Sequence, residues 1–297
     1  MRIGLAAIGI GRGARPVTLR AAASAAEAAG FATLWMGEHV VLFDRHDSRY
    51  PYAEDGTFSL PATVDWLDPF VALSFAASVT RSIRLATGIC LVPEHNPLIL
   101  AKQVASLDRL SGGRFALGMG VGWMAEEFAA LGVPFERRAQ RAREYVEVMR
   151  RLWREQATSF SGEFVRLESA CSHPKPAQPG GVPVIVGGES HAALARASAY
   201  GDGWYGFNLG PDEAGEKIAA LRGLLAKRAR DPATFEIVVA PFSKPVTPAD
   251  ARRYAALGVH ELVIVATPPA DEAQVAAWVA GLGREWVGRA AGGWGST

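Results

Sequence analysis

The chain is poor in cysteine, with only Cys90 and Cys171 among its 297 residues. Two thiols cannot build a disulfide framework, and neither lies in a CxxC or other zinc-ligand spacing, so a reduced, cytoplasmic setting is expected. An excess of one charge is missing too: 31 Lys and Arg face 30 Asp and Glu, for a formal net charge of +1. No basic run marks a nucleic-acid or membrane surface, which leaves a small molecule as the expected partner. Long hydrophobic runs are absent as well. The opening run Ile3-Gly4-Leu5-Ala6-Ala7-Ile8 is too short to cross a bilayer and carries no signal-peptide cleavage pattern, so neither export nor membrane insertion is expected.

Several catalytic signatures are lacking. There is no GxSxG elbow, and Ser190 within GGES has no flanking glycine pattern of a serine hydrolase. His39, His46 and His95 have carboxylates nearby but form no compact motif such as HExxH, so no metal site is expected. Gly118-Met-Gly120-Val-Gly122 and Gly9-Ile-Gly11-Arg-Gly13 both miss the GxGxxG spacing. Neither is followed about twenty residues later by an acidic residue ending a second strand, which excludes a Rossmann dinucleotide site.

What the chain has in quantity is short apolar runs alternating with alanine-rich amphipathic stretches, the pattern of parallel strands joined by crossover helices. The strand candidates are Ile3-Gly9, Thr33-Gly37, Leu85-Leu91, Arg114-Met119, Val182-Val186, Gly203-Phe207, Phe235-Ala240 and Glu261-Ala266. Eight such units predict one α/β domain, a closed (β/α)8 TIM barrel spanning 1–297, with a loosely ordered glycine-rich tail from about 288. Helices are predicted over Val17-Ala29, Pro97-Leu110 and Pro211-Arg230, each ending at Gly or Asp-Pro punctuation. Two stretches exceed the usual connection length, Val40-Asp68 after the second strand and Ser159-Gln178 before the fifth, and each reads as a lid or an insertion.

In such barrels the chemistry sits where strands end and the following loops begin. That selects Gly11-Arg12, Glu38-His39, Pro93-Glu94-His95-Asn96, Gly120-Val121-Gly122-Trp123 and Gly187-Gly188-Glu189-Ser190. Gly187, Gly188 and Ser190 precede the predicted helix Ala192-Tyr200, where bare backbone and a helix N-terminus suit a phosphate; the alternative is a tight turn with Ser190 as cap. Glu189 argues against an anion there unless it turns away. Gly120 and Gly122 leave room for a flat ring or its phosphate tail, or else reflect a crowded barrel rim. His39, with Glu38 before it, is placed for acid-base work at near-neutral pH, against the alternative of a packed, hydrogen-bonded histidine. Trp204 and Phe207 suit either the core or stacking on a flat cofactor.

These segments, taken in order, resemble the luciferase-like flavin and deazaflavin oxidoreductases over nearly the whole chain. The resemblance rests on AAEAAGFATLWMGEH (25 to 39), SIRLATGICLVPEHNPLILAKQVASLDRLSGGRFALGMGVGWMAEEFAALGVPF (82 to 135) and VPVIVGGESHAALARASAYGDGWY (182 to 205). LDRLSGGRFALGMGVGW together with GDGW is most similar to the branch assigned coenzyme F420. The resemblance implies a cofactor across the strand ends, its phosphate near the loops after strands four and five. It implies contacts from Glu38, Asn96, Gly120, Gly122, Trp123, Gly187, Gly188, Glu189 and Ser190, a cis peptide at Gly88-Ile89 against the ring, and His39 as the ring-proximal histidine. One position departs: the sugar-phosphate dehydrogenases of the family carry a glutamate where this chain has Trp123, which counts against that substrate class. The aromatics Phe43, Tyr50, Tyr52, Phe58 and Trp66 of the Val40-Asp68 stretch suggest a lid over an apolar organic substrate instead. The expected activity is hydride transfer with F420; the alternatives are an FMN monooxygenase using oxygen and a non-catalytic cofactor-binding barrel. The family also implies a homodimer, for which Asp68-Val79 and Pro97-Leu110 offer flat alanine-rich faces.

Overall fold

A computed structural model describes residues 1–292 of the chain. Strands β1 (Arg2–Ala6), β2 (Thr33–Met36), β3 (Arg84–Thr87), β4 (Cys90–Leu91) and β5 (Phe115–Gly120) come first. The antiparallel hairpin β6 (Thr158–Ser161) and β7 (Arg166–Ala170) follows, and then β8 (Val184–Gly187), β9 (Gly203–Phe207), β10 (Glu236–Ala240) and β11 (Glu261–Val265). Every pairing between these strands outside the hairpin is parallel. The order β3-β2-β1-β11-β10-β9-β8-β5 returns on itself through a β3–β5 pairing. With β4 as the outer end of an interrupted third strand, this is the closed eight-stranded (β/α)8 barrel that the alternation predicts.

The crossover helices are α1 (Pro16–Ala28), α2 (Pro69–Val79), α3 (Pro97–Ser111), α4 (Ala125–Ala130), α5 (Arg138–Arg154), α6 (His191–Tyr200), α7 (Pro211–Lys227), α8 (Pro248–Ala256) and α9 (Val275–Leu282). Their starts follow from local chemistry. Asp68, Asn96, Ser190 and Thr247 each accept a backbone N–H of the first turn, and Pro occupies the first helical position of α2, α3 and α8. No described helix is long and apolar enough to cross a membrane.

Alternation along the strands divides the core in two. In β2, Leu34 and Met36 pack outward against the helices, while Trp35 joins Ala86, Ala116, Ile185, Tyr205, Val238 and Val263 inside the barrel. The first residues of β1, β3, β10 and β11 close the opposite end with charge: Arg84 and Arg2 pair with Glu236, and Glu261 accepts from Trp35 Nε1 at 2.7 Å and Thr33 Oγ1 at 3.0 Å. Where β3 meets β5 the fit leaves no space. A Cβ on Gly118 would lie 1.9 Å from the Thr87 carbonyl oxygen. Gly118→Ala is therefore expected to cost about 3 kcal/mol of stability, the upper range for overpacking, and to lower the melting temperature by several degrees. Gly223→Ala on α7, where a Cβ meets nothing within 4 Å, should melt at or above the parent temperature.

The structure corrects one expectation: the stretch Ser159-Gln178 is not a lid, because the β6–β7 hairpin followed by the irregular residues 171–178 forms an insertion, and none of its residues lines the cavity described below. At the start of the predicted tail, a wide helical turn over Gly283–Val287 continues into α10 (Gly288–Ala291). Residues 293–297 of the predicted tail lie outside the described residues.

Candidate active site

A cavity of about 760 Å³ opens at the C-terminal ends of the strands. Its floor is Gly37, Gly88, Ile89 and Gly120, and its far side is Gly187 to Ser190. Its roof comes from the Val40-Asp68 stretch: Tyr50, Tyr52, Phe58 and Trp66 line it, whereas Phe43 does not. The predicted aromatic cover is therefore in place.

His39 is buried at the root of that stretch, its side chain 7% exposed, and it lines the cavity. Its Nδ1 lies 2.8 Å from Oε2 of Glu127, a wholly buried residue of α4. The other carboxylate oxygen accepts the backbone N–H groups of Val40 at 2.6 Å and Val41 at 3.2 Å. One carboxylate thus orients the imidazole and clamps the root of the roof. With the Nδ1 proton directed at Glu127, Nε2 is the nitrogen available to a bound molecule. The rings of Phe58, Trp66 and Trp123 stand 5.5, 5.0 and 6.0 Å from the imidazole, so this edge of the cavity is aromatic.

Glu38 belongs to a separate knot. Its carboxylate accepts Leu91 N–H at 2.6 Å and faces His95 Nε2 at 3.0 and 3.1 Å. Burial pushes its carboxyl up, but His95, the Leu91 N–H and the Cys90 thiol outweigh burial and hold it below the usual range. Burial opposes charge on His95 too, yet Glu38 raises it. Burial, then Glu38, keeps Cys90 a thiol. Glu38, Cys90 and His95 place ligand-type atoms within 4.8 Å of one another, but the thiol and imidazole protons occupy the carboxylate, and the trio reads as a hydrogen-bonded brace. Glu38 meets the cavity but carries its load below it.

The Gly88-Ile89 peptide is cis, as the resemblance implies. The neighbouring glycines have a different reason from the one expected. A Cβ on Gly120 would lie 2.1 Å from Ile89 Cδ1, and one on Gly187 would lie 3.1 Å from the same atom. Their missing side chains make room for Ile89, while both residues still line the cavity. Gly122, at φ +76°, is packed against Phe128 and Glu94 in the same way. Asn96 is also misplaced by the sequence reading: it is exposed, caps α3 through Leu98 N–H at 2.9 Å, and does not line the cavity.

The sequence pattern of the luciferase-like monooxygenases matches residues 5–290. This chain belongs to that family. An uncharacterised protein of Mycobacterium tuberculosis (strain ATCC 25618 / H37Rv) is 37% identical over 89% of this chain and 92% of its own length. The fold is shared with monooxygenase RslO1 from Streptomyces bottropensis, at TM-score 0.76 and 20% identity over 98% of this chain and 100% of that one. It is shared equally with the coenzyme F420 dependent tetrahydromethanopterin reductase from Methanopyrus kandleri, at TM-score 0.74 and 16% identity over 97% and 99% of the two chains. Luciferase-like enzymes are oxidoreductases and monooxygenases.

In this luciferase-like barrel the outer end of the cavity carries positive charge. Arg138 of α5 and Arg196 of α6 both line it, and burial and then their mutual repulsion hold the Arg138 guanidinium below its ordinary value. Burial does the same to Arg196, whose Nε is buried without a hydrogen-bond partner. Neither forms an ion pair with a carboxylate among the described residues. They flank the start of α6, where Ser190 Oγ caps the Ala193 N–H at 3.1 Å. Glu189 turns inward: it accepts Phe207 N–H at 2.8 Å and the Tyr52 hydroxyl, and burial raises its carboxyl to about 7. Asn208 Nδ2 donates to the Tyr52 carbonyl at 3.0 Å, so Tyr52 ties the roof to the loops after β8 and β9. Trp204 is core, its Nε1 holding the Gly188 carbonyl at 2.9 Å, while Phe207 lines the cavity.

Reading strand ends alone missed Glu127, Arg138 and Arg196, because all three stand on helices. A signal existed for the first. Glu127 lies four residues beyond Trp123, one helical turn into AEEF, and so supplies an acid near the place where the resemblance notes a missing glutamate.

Proposed function

We propose that this luciferase-like enzyme transfers a hydride between coenzyme F420 and a small, largely apolar organic substrate, in the cytoplasm. The observation that carries the reading is the His39–Glu127 pair facing an aromatic cavity. Hydride transfer to or from a carbon bearing oxygen moves a proton as well, and a carboxylate-steadied imidazole is the group suited to it. The deazaflavin branch is favoured by the LSGGR, GVGW and GDGW segments.

The residues present fit such a cofactor. The buried Arg196 Nε without a hydrogen-bond partner, beside Arg138, which has no carboxylate ion pair among the described residues, calls for an anion of the kind a phosphate tail offers. The flat floor at Gly88-Ile89 and Gly120 admits a planar ring. When bound, the deazaflavin accepts or donates the hydride. Arg138, Arg196 and the α6 N-terminus would hold its phosphate, Ile89 would contact its ring, and Tyr50, Phe58, Trp66 and Trp123 would help to exclude water. His39 Nε2 takes the proton of a substrate hydroxyl, or returns one to a carbonyl, while Glu127 keeps the ring in place.

Side-by-side fluorescence titration with F420 and FMN tests the assignment, with tighter F420 binding expected and weakening in Arg196→Gln. Tighter FMN binding, or a yellow protein as isolated, would move the function to an oxygen-using flavin monooxygenase. Binding of F420 without turnover across an alcohol and carbonyl panel would leave a carrier barrel. A homodimer through α2 and α3 is part of the same reading, supported by the exposed apolar side chains Val71, Leu98, Ile99 and Leu110. Sedimentation at micromolar concentration checks it, and a clean monomer removes it.

A further inference from the structure

Besides the Arg138 and Arg196 end, the cavity has a second rim. Lys244 and Glu213, both half exposed, line it there and open it to solvent. The roof is held unevenly above this rim. At its root Glu127 accepts from Val40 and Val41, and Glu126 accepts Asp47 N–H at 2.7 Å and Ser48 N–H at 3.1 Å. At its far end Gly11 N–H donates to the Asp65 carbonyl at 2.8 Å, and Leu67 N–H to the Gly9 carbonyl at 2.9 Å. Between these fixed ends, residues 49–57 form a tip closed on itself. Tyr50 N–H donates to the Gly56 carbonyl at 2.8 Å, and Arg49 Nη2 to the Asp55 carbonyl at 2.9 Å. Among the described residues, Tyr52 is the one member of the tip that hydrogen-bonds to the barrel, through its carbonyl to Asn208 and its hydroxyl to Glu189. Tyr50 meets Trp123 by ring contact alone.

Asn208 holds more than the roof. It follows β9 directly, in the left-handed region at φ +56°, which asparagine tolerates. Its Nδ2 donates to the Tyr52 carbonyl at 3.0 Å, while its Oδ1 accepts Ser243 Oγ at 2.7 Å and Ser243 N–H at 3.2 Å. Ser243 belongs to the loop 241–247 between β10 and α8. One amide thus joins the roof tip to that loop, its nitrogen on one side and its oxygen on the other. Phe242, next to Ser243, is also left-handed at φ +54°, a conformation that a bulky side chain resists, and it is 43% exposed. The Phe242 ring stands 4.8 Å from that of Phe207, and the Phe207 ring 4.9 Å from that of Tyr52. An aromatic seam closed by so few hydrogen bonds, beside a strained and exposed residue, is drawn from the low-stability end of the structure and is suited to opening.

We propose that substrate enters and product leaves across the seam between Tyr52 and Phe242, and that Asn208 is the latch of this door. When its amide lets go of Tyr52, the 49–57 tip swings as a unit on the fixed ends of the roof; when it lets go of Ser243, the 241–247 loop withdraws. Closed, the door keeps the aromatic roof over His39. Open, it admits a small, largely apolar molecule past the rings of Tyr52, Phe207 and Phe242, while a group bound at Arg138 and Arg196 stays in place.

Distances between spin labels in the full-length protein test the latch with neither cofactor nor substrate. Labels are placed at Glu54→Cys on the tip and Lys227→Cys at the end of α7, with Cys171→Ser removing the exposed native thiol. Asn208→Gly deletes the amide and suits the left-handed backbone; it should raise a second, displaced tip population about tenfold over the parent, the worth of one or two hydrogen bonds. Asn208→Asp keeps an acceptor for Ser243 but has no donor for the Tyr52 carbonyl, so it should free the tip as well. A label moved to Val41→Cys, at the clamped root, should keep a single distance throughout. An unchanged tip distance in either Asn208 variant overturns the proposal, as does a second population at Val41, which would make Asn208 a prop of the whole roof. Passage is read with acrylamide, a small neutral quencher of tryptophan fluorescence. Quenching should strengthen in Asn208→Gly, and the gain should vanish once the cavity residues Trp66 and Trp123 are both replaced by phenylalanine. Tip movement without that gain overturns the door. Neither readout involves F420, so a failure of F420 to bind would sink the cofactor assignment and leave the door standing.

Discussion

His39→Ala is expected to lower turnover by about 100- to 10,000-fold, the range for loss of a general acid or base, while the protein binds its cofactor and melts much as the parent does. The imidazole is placed for this by three features together. It ends a barrel strand, its Nδ1 is committed to Glu127 at 2.8 Å, and its remaining nitrogen belongs to a cavity walled by Phe58, Trp66 and Trp123. Single-turnover mixing, with cofactor oxidation or reduction as the signal, separates the chemical step from binding. A His39→Ala protein that turns over at the parent rate would refute the proton role. One that loses only cofactor affinity would return His39 to a packing residue.

Glu127→Ala should act on stability as well as rate. The substitution strips acceptors from His39 Nδ1 and from the N–H groups of Val40 and Val41, all at the root of the roof. A buried donor left unpaired costs about 1–3 kcal/mol, which applies to His39, while water can partly replace the acceptor at the exposed Val40 and Val41, so a loss of about 2 kcal/mol is expected, with a fall in melting temperature. Glu127→Gln keeps an acceptor for the Val40 and Val41 N–H groups but removes the charge that steadies an imidazolium, so it should melt closer to the parent and still turn over slowly. Thermal denaturation and kcat measured on both variants check the pair. A Glu127→Ala protein with parental melting would show that the clamp at Val40 and Val41 carries no weight.

The family and fold follow from features that are local in sequence. Apolar runs such as Glu261–Val265 are buried whole because a parallel strand covered on both faces needs no polar alternation, and caps such as Asp68 and Asn96 announce helices within a few residues. The rule that strand ends carry chemistry was enough to select His39, Gly188 and Trp123, all of which line the cavity. The same locality could not show that Asn96 caps α3 away from the cavity, or that Ile89 fills the space beside Gly120 and Gly187.

By itself the sequence determined the barrel, the approximate place of its strands, the aromatic roof and the histidine beneath it, because periodicity and turn chemistry act over a few residues. Only the tertiary structure decided which carboxylate serves that histidine. Glu38 is adjacent in sequence but is turned to His95 and Leu91, while Glu127 arrives from a helix 88 positions away. The same holds for Arg138 and Arg196, which repel each other at the cavity edge. Charge, burial and hydrogen bonding are set by distance in space, and a closed barrel brings eight strand ends around one axis, so residues remote along the chain become the electrostatic environment of one another.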